Sequence, residues 1–162
     1  MALRECGYHD YFMRIALGAD HAGVALKDEI KRLLDERGIA YSDFGADSTE
    51  SVDYPDFAAR VASEVSAGRF DRGILVCGTG IGMAIAANKV PGIRAAPVVD
   101  ERSAVLSREH NDANVLALAG RLTPPDQARR LVSIFLDTPF GGGRHVRRIE
   151  KIAAIESNPT CN

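Results

Sequence analysis

Residues 74–89 read ILVCGTGIGMAIAANK, and this stretch contains the strongest signal for the fold. The apolar run 74–76 has the composition of a buried β-strand. Three glycines follow Cys77 at alternate positions, and an apolar, alanine-rich helix begins after them. A strand, a glycine turn and a helix N-terminus together form a backbone cradle for an anion. The thiol at the start of the turn indicates acid/base or nucleophilic chemistry on an anionic small molecule.

The alternation of strand and helix continues in both directions from this stretch. Strands are predicted over 13–18, 39–44, 73–76, 93–99 and 114–119, and helices over 22–37, 103–110 and 144–157, with others beginning near 53, 81 and 123. Such alternation produces a mostly parallel sheet with helices on both faces. We therefore predict an α/β fold, a Rossmann-like three-layer sandwich around a five-stranded sheet.

Three local signals refine this prediction. Asp20 can cap the helix after the first strand, and Thr123 can cap a helix that has Pro124 in its first turn. Pro97 falls inside the predicted fourth strand, where it cannot donate a ladder hydrogen bond. We expect Pro97 to end that strand early or to mark a bulge.

Length and composition indicate one domain of ordinary globular type. The 162 residues are 46% hydrophobic and 26% charged, with a formal net charge of -2. We assign 1–12 as an N-terminal tail, 13–157 as the domain and 158–162 as a C-terminal tail. The charge balance argues against a nucleic-acid surface, and no apolar run reaches the roughly 18 residues of a membrane span. Residues 1–12 lack the apolar stretch of a signal peptide.

The cysteines indicate a reducing compartment. Cys6, Cys77 and Cys161 are an odd set without a CxxC motif, so we expect reduced thiols and a cytoplasmic location. The residue spacing also contains no zinc-ligand pattern. We therefore predict that the protein uses neither a metal nor another cofactor.

Several polar residues follow predicted strands and should meet at one edge of the sheet. Ligands in parallel α/β sheets bind beyond the carboxyl ends of the strands. The residues expected there are Asp20, His21, Cys77–Gly82, Asp100, Gly120 and Arg121. This edge is therefore the predicted ligand site.

Each of these residues also has an ordinary structural interpretation. A buried cysteine such as Cys77 is often a small apolar filler, although turn amides at its position would stabilise a thiolate. The turn glycines Gly78, Gly80 and Gly82 can serve close packing, or their N–H groups can bind an oxyanion. Thr79 is either a turn hydroxyl or an additional donor.

Two further groups lie outside the strand ends. His110 ends a predicted helix in a polar stretch, where the helix dipole favours it, but a histidine also exchanges protons near neutral pH. Arg144 and Arg148 are four residues apart on a predicted helix after three glycines. They form either a solvated basic face or a pair of phosphate ligands, to which Arg121 could add a third.

Long motifs identify a specific resemblance. They are GADHAG at 18–23, DYP at 53–55, CGTGIGMAIAANKVPGIRAA at 77–96, SREHNDANVLALAGR at 107–121 and GGRHVRRIE at 142–150. In this order the chain resembles the B-type ribose-5-phosphate isomerases, in the family that includes the galactose-6-phosphate isomerase subunits. The resemblance runs from about residue 14 to 155.

The resemblance implies a role for each matching residue. It implies that Cys77 moves a proton between C2 and C1 of the sugar, and that His110 opens the furanose ring. Thr79 and the glycine turn would hold the enediolate oxygens. The implied sugar and phosphate contacts are Asp20, Tyr54, His21, Arg144 and Arg148, with Asn111 and Arg121 joining His110 from a neighbouring subunit. The family forms dimers or pairs of dimers with the site across the interface.

The expected activity is interconversion of ribose 5-phosphate and ribulose 5-phosphate, a step of the non-oxidative pentose phosphate pathway. A six-carbon substrate, allose or galactose 6-phosphate, is the alternative within the same chemistry. A sugar-phosphate-binding protein without catalysis is the alternative from another class, although binding alone needs neither the thiol nor a ring-opening acid. A metal-dependent isomerase using Asp20, His21 and His110 is a third.

Overall fold

Five parallel strands form the central sheet. The computed structural model describes residues 12–157. Its strands are β1 (Arg14–Ala19), β2 (Ala40–Asp43), β3 (Arg72–Cys77), β4 (Ala95–Pro97) and β5 (Val115–Ala119). Their spatial order is β2-β1-β3-β5-β4, and every neighbouring pair is parallel. The predicted α/β sandwich with five strands is confirmed.

Helices cover both faces of the sheet. They are α1 (Val24–Glu36), α2 (Tyr54–Ser66), α3 (Ile81–Ala87), α4 (Glu101–Glu109), α5 (Pro125–Asp137) and α6 (Arg144–Ser157). Side chains of a strand alternate between the two faces. Ile15 and Leu17 therefore pack with α1, α4 and α5 in one core cluster, whereas Ala16 packs with α2 and α3 in the other.

The structure confirms one local prediction and corrects two. β4 is three residues long and ends early at Pro97, as expected of a residue without an N–H for the ladder. Asp20 does not cap α1: the N-cap is Gly23, and Asp20 instead accepts backbone hydrogen bonds in the preceding turn. The N-cap of α5 is Pro124 rather than Thr123, so the helix starts one residue later than the sequence predicts.

The direction of each element determines which residues can share a site. We call the edge of the sheet where the strands end the carboxyl edge, and the opposite edge the amino edge. Because all five strands are parallel, each helix that connects two of them runs back from the carboxyl edge to the amino edge. The first residues of such a helix therefore lie near the strand ends, and its last residues lie far from them.

Helix α6 has an apolar stripe that the described part of the chain leaves uncovered. None of its residues is buried. Val146 and Ile152 are 40% and 42% exposed, and Ile155 is 71% exposed. At the carboxyl edge Val99 and Leu122 are also exposed, at 67% and 73%. Apolar groups exposed in this number are typical of a surface that another protein chain covers.

Some predictions fall outside residues 12–157. The structure does not describe residues 1–11 of the predicted N-terminal tail 1–12, the C-terminal tail 158–162, or Cys6 and Cys161 within them. Within the described residues, no helix combines the length and the apolar character that crossing a membrane requires. The cytoplasmic location stays a prediction.

Candidate active site

Cys77 lies at the end of β3 with its thiol directed into the glycine turn. The side chain is 3% exposed. The N–H of Gly80 donates a hydrogen bond to Cys77 Sγ over 3.2 Å. An N–H directed at sulfur stabilises a thiolate, which is the form that accepts protons. The thiol therefore has a polar partner in the turn as well as apolar neighbours in the core.

The glycine turn is closely packed at two of its three glycines. Gly80 has φ of 76°, and a Cβ there would lie 3.0 Å from the backbone of Leu118. A Cβ on Gly82 would lie 2.7 Å from the ring of Tyr54. A side chain at either position would therefore displace the turn or the tyrosine. Packing and oxyanion binding are compatible here, because packing fixes where the N–H groups of the turn lie.

Asp20 and His21 follow β1 at the same edge. Asp20 is 6% exposed, and its Oδ1 accepts hydrogen bonds from Ala22 N at 2.9 Å and Gly23 N at 3.1 Å. His21 Nδ1 accepts a hydrogen bond from Val52 N over 3.3 Å. A neutral imidazole that accepts at Nδ1 carries its proton on Nε2. His21 can thus donate from Nε2 to an anion.

Arg121, Thr79 and Asp100 are the remaining predicted side chains at the carboxyl edge. Arg121 N donates to Gly78 O over 3.2 Å, and Arg121 Nη1 would lie 3.4 Å from a Cβ on Gly78. Within one chain Arg121 therefore lies beside the glycine turn, and its implied contribution to a neighbouring subunit stays a prediction. Thr79 is exposed, and its Oγ1 accepts from Ile81 N over 3.4 Å, leaving its hydroxyl proton free to donate. Asp100 is the N-cap of α4, and its side chain accepts a hydrogen bond from Ser103 N. This structural role accounts for the presence of Asp100 at the carboxyl edge.

His110 and Asn111 lie at the amino edge. His110 is the C-cap of α4, and the carbonyl of Asn111 accepts a hydrogen bond from Arg94 Nε over 3.0 Å. Arg94 immediately precedes β4. The His110 ring stacks on the ring of His145, with centroids 4.2 Å apart and 15° between the planes.

The start of α6 belongs to the same cluster. Gly141 N donates to the carbonyl of Glu109 over 2.9 Å, which holds the glycine segment against the end of α4. Desolvation lowers the pKa of His145, and the charges of His110, Arg144 and Arg148 lower it further. Both arginines therefore act electrostatically on His145.

The structure thus divides the predicted site residues between two edges. Asp20, His21, Tyr54, Cys77–Gly82 and Arg121 lie at the carboxyl edge, whereas His110, Asn111, Arg144 and Arg148 lie at the amino edge. In register Cys77 pairs with Ala119 at the end of β5, and that strand advances about 13 Å from its start. One chain therefore does not bring His110 to Cys77.

The same separation argues against the metal alternative within one chain. Asp20 and His21 lie at the carboxyl edge and His110 at the other, so the three cannot share an ion within one chain. Among residues 12–157, no group of three His, Cys, Asp or Glu side chains has a geometry suited to a metal ion.

Two residues with unusual surroundings, His145 and Lys27, are absent from the predicted site. His145 lies within a basic motif, and nothing in its spacing indicates the stack with His110. Lys27 is 1% exposed and lies on the buried stripe of α1 with Leu26 and Ile30. The sequence does contain a signal for Lys27. A charged residue at an apolar position of an amphipathic helix needs a buried partner, so the helical spacing marks Lys27 as unusual.

Comparisons with known proteins agree with the motifs. The family model described as Ribose/Galactose Isomerase matches residues 15–152. The chain belongs to this family. Ribose-5-phosphate isomerase B of Escherichia coli is 49% identical over 143 residues, which are 88% of this chain and 96% of that protein.

Solved structures show the same similarity. Ribose-5-phosphate isomerase B of Clostridium thermocellum has a TM-score of 0.90 and 51% identity, over 91% of this chain and 100% of that one. The Mycoplasma genitalium protein of the same name, with bound ribulose-5-phosphate, has a TM-score of 0.86 and 43% identity, over 90% and 97%. The resemblance to the B-type isomerases is confirmed, and the protein is an isomerase, an intramolecular oxidoreductase.

Proposed function

We propose that this isomerase interconverts ribose 5-phosphate and ribulose 5-phosphate with Cys77 as the base. The main support for this proposal is the position of Cys77 Sγ, which accepts a hydrogen bond from the Gly80 N–H at the start of the glycine turn. A thiolate in this position has a donor that stabilises its charge and a turn beside it that can bind substrate oxygens. The names of the related proteins supply the choice of substrate.

The proposed reaction moves one proton between neighbouring carbons. The Cys77 thiolate takes the proton from C2 of the open-chain aldose, and the C–H electron pair forms the C1–C2 double bond of an enediolate. Transfer of the hydroxyl proton from O2 to O1, and return of the thiol proton to C1, completes the ketose. Electrons and protons balance within substrate and thiol, so the reaction needs no external oxidant or reductant.

The glycine turn and Thr79 stabilise the intermediate in this proposal. Negative charge develops on the substrate oxygens when the C2 proton leaves, and preorganised N–H donors lower the energy of that charge. The exposed Thr79 hydroxyl adds a donor at the same side of the turn. Asp20 and Tyr54 contact the sugar hydroxyls in this arrangement.

In this proposal ring opening uses the amino edge, and phosphate binding uses residues of both edges. His110 transfers a proton to the ring oxygen, because an imidazole exchanges protons near neutral pH. His21, Arg144 and Arg148 bind the phosphate, and Asn111 and Arg121 complete the contacts. Holding the remote phosphate aligns C1 and C2 with the thiol.

This proposal requires two subunits. Because His110 and Cys77 lie at opposite edges of one chain, a homodimer must bring the amino edge of one subunit to the carboxyl edge of the other. The exposed apolar residues of α6 and those at Val99 and Leu122 are suited to burial between subunits. Each dimer then contains two equivalent sites.

Ketose formation from ribose 5-phosphate in the presence of a chelator tests the proposed activity. We expect turnover with the chelator present, since thiol and amide groups supply the chemistry. Loss of turnover that a divalent ion restores would contradict the metal-independent mechanism. Preference for allose or galactose 6-phosphate over ribose 5-phosphate would contradict the five-carbon substrate, and sugar-phosphate binding without any turnover would contradict catalysis.

His110→Ala should slow ring-closed substrate more than open-chain substrate. The variant lacks the proton donor for ring opening, whose contribution is about 10²-fold or more. A substrate that cannot close a furanose ring, such as a four-carbon aldose phosphate, bypasses this step. Steady-state rates on both substrates give the comparison, and equal losses would contradict the ring-opening role.

A further inference from the structure

Lys27 is a buried cation that the proposed mechanism does not use. It lies in the first turns of α1, four residues after the turn that carries Asp20 and His21, and is 1% exposed. Burying an ammonium group is costly unless several acceptors surround it. Its presence in the core therefore indicates that it holds particular acceptors in place.

The acceptors of Lys27 all belong to segment 43–47, which begins at the last residue of β2. Lys27 Nζ donates to Asp43 Oδ1 at 2.7 Å and to the carbonyl of Ala46 at 2.7 Å, and lies 3.4 Å from Asp47 Oδ1. Burial acts to raise the pKa of Asp43, but hydrogen bonds from Lys27, Gly45 N and Lys31 outweigh it and lower that pKa. Asp43 is thus an anion in this pair.

The 43–47 segment in turn holds the end of β1. Ala19 N donates to the carbonyl of Gly45, and Ala46 N donates to the carbonyl of Ala19, each over 2.6 Å. Ala19 immediately precedes Asp20. The chain then runs on to Val52, whose N–H binds His21 Nδ1. The position of this segment therefore affects both residues that follow β1.

We propose that Lys27 is a positioning residue, which clamps segment 43–47 against β1 and so sets the placement of Asp20, His21 and Tyr54 for the sugar phosphate. The inference rests on the proposed function, because those three residues are its substrate contacts. Lys27 itself lies too deep to touch substrate. It acts through Ala46 and Ala19 on one side and through the chain leading to Val52 and Tyr54 on the other.

Lys27→Met tests this role, with Lys31→Met as the matched control. Both lysines contact Asp43, Lys31 over 3.1 Å, but only Lys27 reaches the Ala46 carbonyl. Met keeps the apolar length of the side chain, and Asp43 retains Lys31 and the Gly45 N–H as partners. We expect KM for ribose 5-phosphate to rise about tenfold in Lys27→Met, with kcat falling less. Lys31→Met should change KM less than about twofold.

A second measurement separates positioning from general loosening of the fold. Cys77 lies on β3 and outside the clamp, so its rate of alkylation by iodoacetamide, in a Cys6→Ala, Cys161→Ala background, should match the native rate. A KM within twofold of native in Lys27→Met, whatever its melting temperature, would overturn the proposal. So would an equal KM change in Lys31→Met, or a changed alkylation rate.

The test also covers poor folding of the variant and failure of the proposed function. If Lys27→Met does not fold, Asp43→Asn weakens the same clamp while keeping the side-chain volume, and an unchanged KM in that variant would overturn the proposal. Turnover of ribose 5-phosphate by the native chain tests the proposed function separately. If the substrate differs, calorimetric binding of inorganic phosphate gives the comparison, with weaker binding expected for Lys27→Met alone.

Discussion

Cys77→Ala should lower turnover of ribose 5-phosphate by about 10³-fold while leaving the fold and phosphate binding intact. General acid/base groups contribute about 10² to 10⁴-fold, and here the missing group is the one that contacts the moving proton. The stability cost should be about 1 kcal/mol, because only one buried sulfur is removed. Coupled kinetics, thermal unfolding and calorimetric binding of inorganic phosphate measure the three quantities.

Isotope exchange makes the Cys77 test specific to proton transfer. With deuterium at C2 of the substrate, the native chain should release the label to water, and Cys77→Ala should release almost none. The matched control is the Cys6→Ala, Cys161→Ala double variant, which removes the other two thiols and should exchange at the native rate. Retention of more than a tenth of native exchange in Cys77→Ala would show that another group is the base.

Mixed dimers of Cys77→Ala and His110→Ala should show activity far above that of either variant alone. If each site takes Cys77 from one subunit and His110 from the other, a mixed dimer contains one intact site and one site that lacks both groups. Purified mixed dimers should then show about half of the native activity, and an equal statistical mixture about a quarter. Two affinity tags and refolding of the mixed chains yield the mixed dimer.

The complementary control uses a chain that carries both substitutions. Paired with a native chain, this double variant damages both shared sites, so that the mixed dimer should be inactive. If each chain contained its own complete site, the same dimer would keep half of the native activity, and the first mixture would regain nothing. The two arms therefore give opposite results for a shared site and for a site within one chain.

The carboxyl-edge half of the candidate site could be predicted from local patterns. Residues 74–89 contain a buried strand, a glycine turn and a helix in direct succession, and the alternation around them specifies a parallel sheet. The carboxyl ends of parallel strands share one edge, so Asp20, His21 and the glycine turn could be placed together from the sequence alone. The observed boundaries differ from the predicted ones near Pro97 and Thr123. Strand β4 ends at Pro97, and the N-cap of α5 is Pro124 rather than Thr123.

The placement of α6 could not be predicted in this way. Within residues 12–157 no strand follows this helix, so no crossover rule fixes its direction or its contacts. Its start is held at the amino edge by the hydrogen bond from Gly141 N to the Glu109 carbonyl and by the stack of His145 on His110. Both contacts join residues more than thirty positions apart, and neither has a periodic signature.

The α/β class, the glycine turn after Cys77 and the family follow from the sequence alone, because strand and helix periodicity and the motif order are properties of neighbouring residues. The fold was needed to place Cys77 and His110 at opposite edges, Arg121 beside Gly78, and the Lys27 ammonium against Asp43 and the Ala46 carbonyl. These are contacts between distant residues, and they depend on the directions in which whole elements pack. The physical reason is that local patterning specifies which face of an element is buried, whereas packing decides which elements meet.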